Sequence, residues 1–132
     1  MPDRREDAAR LQQLADAARR AEAAEAQRLI DAFVEAARER GLAPEPLRAT
    51  LYGGASVRTD KVGWYLNSSR SVAIGYDGSY YQLVVGGGVR ERLRGVRLEA
   101  SEPSLVIGRG ARDGESGDLA EFLARVLDRP AP

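Results

Sequence analysis

Residues 62–85, with the sequence VGWYLNSSRSVAIGYDGSYYQLVV, decide the fold of this chain. Three apolar runs of strand length alternate with two short polar segments that are rich in turn-forming residues. The dipeptide Asp77-Gly78 suits a two-residue type I′ turn, because both residue types tolerate a positive φ. Residues 67–70 supply the other turn. The stretch therefore predicts three antiparallel strands joined as a meander.

The pairing of these strands predicts which side chains share a face. A two-residue turn at Asp77-Gly78 places Ile74 opposite Tyr81, and the earlier turn places Trp64 opposite Ala73. One face then carries Val72, Ile74, Tyr81, Leu83 and Tyr65, and the other carries Trp64, Leu66 and Tyr80. Because both faces are apolar, the second face is either covered by a helix or left as an aromatic binding groove. In the second case Trp64, Tyr80 and Tyr65 would contact a partner.

Composition limits the chemistry that is open to this protein. The 132 residues are sufficient for one self-supporting domain. The chain contains no Cys, which excludes disulfides and zinc–thiolate sites, and no His, which removes the usual general base and the commonest metal ligand. We therefore predict no catalytic residue, no cofactor and no metal site.

Charge and hydropathy favour a cytoplasmic protein. Twenty basic and twenty acidic residues balance, so the chain as a whole is not drawn to nucleic acid or to an acidic membrane. The first twenty residues are charged and lack the apolar core of a signal peptide. No stretch reaches the roughly 20 apolar residues of a membrane-spanning helix.

A long helix is predicted at the N-terminus, because residues 3–40 contain neither Pro nor Gly and consist mostly of strong helix formers. Its second half has an apolar stripe suited to a core, formed by Ala26, Leu29, Ile30, Phe33, Val34 and Ala37. Its first half has only a thin seam of Leu11, Leu14, Ala18 and Ala21. We therefore predict an arm at residues 1–25 and a single domain at 26–132. The arm is either a solvated helix or pairs with a second copy or another partner.

The rest of the chain completes an α+β fold. Residues 47–52, 55–58 and 105–107 are predicted strands, with a turn at 59–61. A C-terminal helix that packs on the sheet is predicted from Asp118 onward, with its apolar stripe formed by Leu119, Phe122, Leu123, Val126 and Leu127. The prediction is a mainly antiparallel meander of about six short strands between two helices. The alternative is a more closed β-barrel, similar in element order to pleckstrin-homology-like domains.

The folded part has one basic cluster. Residues 89–93 and 96–98 are predicted strands in which Arg90, Arg92 and Arg94 line one side, with Arg97 nearby. Arginine at every second position of a strand could bind phosphates, or it could form a solvated face that protects a sheet edge. This stripe supports an alternative function as a nucleic-acid or phosphate-ligand binding module.

A glycine-rich loop at 108–118 precedes the C-terminal helix. Its acids Asp113, Glu115 and Asp118 could hold a metal in a protein without His or Cys, but acids at the start of a helix have a sufficient structural role. We predict instead a small non-catalytic binding or adaptor protein that acts through protein–protein contacts. It would self-associate through the N-terminal helix, with Leu11, Leu14, Trp64, Tyr65 and Tyr80 as contact residues.

Overall fold

The computed structural model describes residues 3–108 and 116–130 and has the expected α+β architecture. The elements in order are α1 (Arg4–Glu39), β1 (Glu45–Leu51), β2 (Ser56–Tyr65), β3 (Val72–Gly75), β4 (Tyr80–Gln82), β5 (Val84–Val85), α2 (Val89–Arg94), β6 (Val106–Ile107), β7 (Gly117–Asp118) and α3 (Leu119–Leu127). A five-stranded sheet has the order β4-β3-β2-β1-β5, and β6 pairs with β7 in a separate ribbon.

The main sheet curls until its two edges meet at one residue. All neighbouring strands are antiparallel except β1 and β5, which are parallel. Leu83 lies between β4 and β5. Its N–H donates to the carbonyl of Ser71 at 2.8 Å, and its carbonyl accepts from the N–H of Thr50 at 2.7 Å. Because the continuous segment of β4, Leu83 and β5 pairs with β3 on one side and with β1 on the other, the sheet is more closed than a simple meander and approaches the predicted barrel alternative.

Both faces of the curled sheet are buried, each in its own core. The concave side holds Leu47, Ala49, Leu51, Val57, Tyr65, Ala73, Tyr81, Leu83 and Leu98. The convex side, which carries Trp64, Ile74 and Tyr80, is covered by α1 and α3. The prediction that the C-terminal helix packs on the sheet is confirmed, since Leu119, Phe122, Leu123 and Val126 are all buried in this second core.

The β3–β4 hairpin has a three-residue loop, so the predicted two-residue turn is wrong. The N–H of Gly75 donates to Ser79 at 2.8 Å, and the N–H of Gly78, which has a φ of +87°, donates to the carbonyl of Gly75 at 2.9 Å. These bonds describe a turn followed by a left-handed glycine. Asp77 accepts the N–H of Ser79 through its side chain at 3.0 Å, which holds the longer loop. Ile74 consequently pairs with Tyr80.

The preceding loop is also one residue longer than predicted. The N–H of Leu66 donates to the carbonyl of Val72 at 3.0 Å, which leaves residues 67–71 as the loop. Buried Asn67 organises it, because its Oδ1 accepts the N–H of Ser71 at 3.0 Å. Trp64 therefore pairs with Ile74 rather than with Ala73. A one-residue shift exchanges the faces of a strand, so Ile74 joins Trp64 on the convex side.

Helix α1 extends well beyond the core that it covers. Its 36 residues span about 54 Å at 1.5 Å per residue. Asp3 caps the start by accepting the N–H of Arg5 at 3.2 Å. Every residue from 4 to 15 is exposed, and Ala26 is the first that is buried. The long N-terminal helix is thus confirmed, whereas the division of the chain at residue 25 stays a prediction.

Candidate functional site

The aromatic residues predicted to contact a partner lie in the core. Trp64, Tyr65 and Tyr80 are only 5 %, 6 % and 5 % exposed. The indole N–H of Trp64 donates to the carbonyl of Leu42 at 3.1 Å, and its ring meets Phe33 of α1 edge-on, with centroids 5.5 Å apart. The prediction of an open aromatic groove is therefore wrong, because α1 and α3 occupy that face.

The other two aromatics also have structural partners. The hydroxyl of Tyr65 accepts the N–H of Arg48 at 2.8 Å, which ties β2 to β1. Burial raises the pKa of the Tyr80 phenol above its ordinary value, because the charged form would lose its hydration. Neither side chain is placed to act as an exposed anchor.

Leu11 and Leu14, the other predicted contact residues, are exposed on the arm, at 66 % and 61 %. At 100° per residue, their stripe is rotated by about 120° around the helix from the stripe that packs on the sheet. Leu11 and Leu14 therefore lie on a different side of α1 from the residues that pack on the sheet. An apolar stripe in this position is available to a second molecule.

The charges of the arm are distributed unevenly along its length. Arg4 and Arg5 lie at its start, and Glu22 and Glu25 lie at its end. Near the end, the Nε of Arg19 pairs with Glu102 at 3.3 Å, which connects the arm to the body of the domain. The first turn of α1 carries Arg4 and Arg5 beside Glu6 and Asp7, whereas the last turn of the arm carries only the acids Glu22 and Glu25.

The four arginines of the predicted basic strand do not form a row. Residues 89–94 are helical, and on a helix Arg90 and Arg92 point about 160° apart. The strand prediction is wrong because the glycines at 86–88 turn the chain and Glu91 caps the new helix, its Oε1 accepting the N–H of Gly88 at 3.3 Å. Arg90, Arg92, Arg94 and Arg97 are all exposed.

A bulge in β2 replaces the predicted turn at 59–61. Three residues, 59 to 61, lie opposite the single residue Leu47 of β1. The hydroxyl of Thr59 donates to the carbonyl of Leu47 at 2.7 Å and so substitutes for a bond of the ladder. Bulges bend a strand and redirect its side chains. This one turns Asp60 toward the segment that follows α2.

Asp60 joins that segment to the bulge. Its Oδ1 accepts the N–H of Leu98 at 2.9 Å, and its Oδ2 lies 3.3 Å from the ammonium of Lys61. The bond from Leu98 is the main cause of a pKa below the ordinary value for this carboxyl group, with a further contribution from Lys61. Asp60 is thus a partnered, ionised carboxylate at neutral pH.

A cavity of about 290 Å³ opens beside the bulge. One wall is formed by residues 58–60 and the other by residues 94–97. Val96 holds the walls together by donating its N–H to the carbonyl of Arg58 at 2.9 Å. Only glycine fits at position 95, since its φ is +85° and a Cβ would lie 2.8 Å from the Arg58 carbonyl oxygen. The cavity brings together Arg58, Arg94 and Arg97.

Sequence reasoning had included Arg94 and Arg97 but missed Arg58. These arginines come from β2, the end of α2 and the segment after it, and they meet only because the chain crosses back over the bulge. The nearest signal in the sequence was the polar run at 59–61, which indicated a break in the strand without showing what would pack there.

The remaining candidate site residues are the acids of the glycine-rich loop that precedes α3. Asp113 and Glu115 lie outside the described residues, and Asp118 begins α3 without a side-chain capping bond. Within residues 3–108 and 116–130, no group of three or more acidic side chains could hold a metal ion. No helix in the same ranges has the length and apolarity to cross a bilayer.

No family model, curated protein or solved structure matches this chain.

Proposed function

We propose that this is a non-catalytic binding protein that self-associates through its N-terminal arm. The observation that carries the proposal is an exposed helical segment, residues 4–15, with Leu11 and Leu14 on its surface. It extends from a domain in which Trp64, Tyr65 and Tyr80 are buried. An exposed apolar stripe on a helix is typical of a helix that packs against another helix.

The charges of the stripe favour a second copy in antiparallel orientation. In a parallel pair, Arg4, Asp7 and Glu25 would each face the same residue of the other copy, and like charges would repel. In an antiparallel pair with Leu11 facing Leu14 of the second copy, Asp7 faces Ala18 and Arg4 faces Ala21. Arg4 also comes within about 6 Å, along the helix axis, of Glu25 of the second copy. On the stripe, Arg4 of each arm thus lies near an acid of the other arm instead of near a second Arg4.

This arrangement keeps the two domains apart. Residues 4–21 of each arm overlap over about 27 Å, and the body of each domain, which reaches Arg19 through Glu102, lies near the start of the other arm. The two-fold symmetry makes the interface self-complementary, as in most homodimers. The alanines at 18 and 21 allow the helices to approach closely where the leucines do not meet.

The expected dimer is weak. Burying each exposed leucine contributes about 1.5–3 kcal/mol, so four leucines contribute at most about 6–12 kcal/mol. Association costs about 4–15 kcal/mol in lost translational and rotational freedom. The most favourable combination of these figures, about 8 kcal/mol, corresponds to a dissociation constant of about 1 μM, and we expect a weaker dimer in the micromolar to millimolar range.

The test is light scattering across a series of protein concentrations. The wild-type chain should change from monomer to dimer as its concentration rises. The double variant Leu11→Gln, Leu14→Gln should remain monomeric with an unchanged thermal midpoint, because Gln is nearly as good a helix former as Leu. Leu93→Gln is the matched control, since Leu93 is 72 % exposed but lies on α2, and it should dimerise like the wild type.

Two results would contradict the proposal. If the wild type stays monomeric at millimolar concentration, the arm does not bind a second copy. If the double variant still dimerises, another surface holds the dimer together.

A further inference from the structure

We propose that the cavity formed by Arg58, Arg94 and Arg97 binds the phosphate group of a small phosphomonoester. This inference is independent of the arm, because it depends on a different surface. Arg58, Arg94 and Arg97 line one concave site of about 290 Å³. Guanidinium groups bind phosphate oxygens through paired, charge-assisted hydrogen bonds.

Within the described part of the chain, the positive charge of the cavity exceeds the negative charge of Asp60, the one acid that lines it. None of its three arginines forms an ion pair with an acid there; the ion pairs of that part involve Arg19 and Lys61. Asp60 also lines the cavity, but Lys61 and the N–H of Leu98 already occupy its carboxylate oxygens. The site therefore carries a net positive charge, which a dianionic phosphate would balance.

The backbone around the cavity holds its walls in place. Arg58 donates through Nη2 to the carbonyl of Leu93 at 3.3 Å, which places its guanidinium group next to the end of α2. Gly95 packs directly against the Cγ of Arg58, at a spacing that excludes any larger residue. Asp60 fixes the following segment by its bond to Leu98. Such preorganisation lowers the entropic cost of binding a small anion.

A small phosphomonoester fits better than a nucleic acid. Nucleic-acid binding requires a basic surface that follows several phosphates, and such domains usually carry an excess of positive charge. Here only three arginines converge, Arg90 is not among them, and the chain has no net charge. The cavity is open to solvent, so the rest of the ligand can extend out of it.

The test is a titration of the ¹⁵N-labelled protein with inorganic phosphate, followed by two-dimensional NMR. Phosphate should shift the amide resonances of Gly95 and Val96 in a saturable way, whereas chloride at equal ionic strength should not. Arg94→Gln and Arg97→Gln should each weaken binding by about tenfold, because each removes a charge-assisted contact. Arg90→Gln is the matched control and should change the affinity by less than about twofold, since surface charges outside the site contribute little.

Specific results would overturn the inference. If phosphate at high millimolar concentration causes no saturable shift, the cavity is not a phosphate site. If Arg90→Gln weakens binding as much as Arg94→Gln, the attraction is diffuse. If a single-stranded DNA oligonucleotide binds more tightly than phosphate, with contributions from Arg90 and Arg92, the site is part of a nucleic-acid surface. Thermal melting should verify that every variant is folded.

Discussion

Replacing Trp64 with Ala distinguishes a core residue from a binding residue. The side chain is 5 % exposed, its indole N–H bonds to Leu42, and its ring lies between Phe33 of α1 and Tyr76, at centroid distances of 5.5 and 6.0 Å. It joins the convex face of the sheet to the helix that covers it. Its loss would leave a cavity between the two layers.

The expected destabilisation is large. Truncating a buried Trp or Phe to Ala costs about 3–5 kcal/mol, and the unpaired carbonyl of Leu42 adds about 1 kcal/mol if water does not replace the indole N–H. A domain of this size unfolds with about 5–15 kcal/mol. Trp64→Ala should therefore remove a large fraction of the free energy of unfolding and lower the urea midpoint by roughly 1–6 M.

Urea unfolding followed by far-ultraviolet circular dichroism is the suitable assay, because Trp64 is the only tryptophan and the variant loses its fluorescence. Tyr52→Ala is the matched control, since Tyr52 is 78 % exposed and its truncation should cost less than about 0.5 kcal/mol. A loss of less than about 1 kcal/mol for Trp64→Ala would refute the reasoning. The indole would then be solvent-exposed, and the aromatic groove would again be a candidate site.

Two further substitutions test the sheet and the bulge. Gly63→Ala should destabilise the fold by at least about 2 kcal/mol, because the added Cβ would overlap the backbone carbonyl of Ile74 on the neighbouring strand; Gly53→Ala, in open space, should be nearly neutral in the same urea assay. Asp60→Asn keeps an acceptor for Leu98 but removes the charge. Because the folded-state pKa of Asp60 is lowered, its carboxylate stabilises the protein above its ordinary pKa, and this contribution is lost as the pH falls through the folded value. The difference in thermal midpoint between wild type and Asp60→Asn should be small at pH 7 and shrink below pH 4, and a difference that grows toward acid would contradict this sign.

Helices α1 and α3 could be predicted from sequence because each has an apolar stripe that repeats at helical spacing. The positions of the two turns could be predicted, but the number of residues in each loop could not. Asp77 and Asn67 each hold one extra loop residue through a side-chain hydrogen bond, and a dipeptide pattern does not show such a bond. Each extra residue shifted the predicted pairing by one, so Val72 and Ile74 of β3 were expected on the face opposite to Trp64, whereas they share its face.

The short run at 89–94 shows a different kind of ambiguity. VRERLR alternates like a strand, yet its residues are also good helix formers, and a segment this short has too few turns for periodicity to decide. Gly88 and Glu91 decide it locally in favour of a helix. The basic cavity could not be predicted at all, because Arg58 meets Arg94 only after the chain has crossed the bulge. The exposure of Leu11 and Leu14, in contrast, could be predicted, because their stripe is not continuous with the apolar stripe of the core half of the helix.

The most direct test of arm-mediated assembly uses single cysteines in a chain that otherwise contains none. Asp7→Cys and Ala18→Cys chains are mixed at high concentration, oxidised gently, and analysed by non-reducing gel and mass spectrometry. An antiparallel pair predicts a disulfide between the two different variants. It predicts no Asp7→Cys homodimer, because the two copies of position 7 would lie roughly 16 Å apart along the helix axis. A disulfide-linked homodimer of Asp7→Cys would contradict the account. So would a yield of the mixed disulfide that is no higher at high protein concentration than in a diluted mixture.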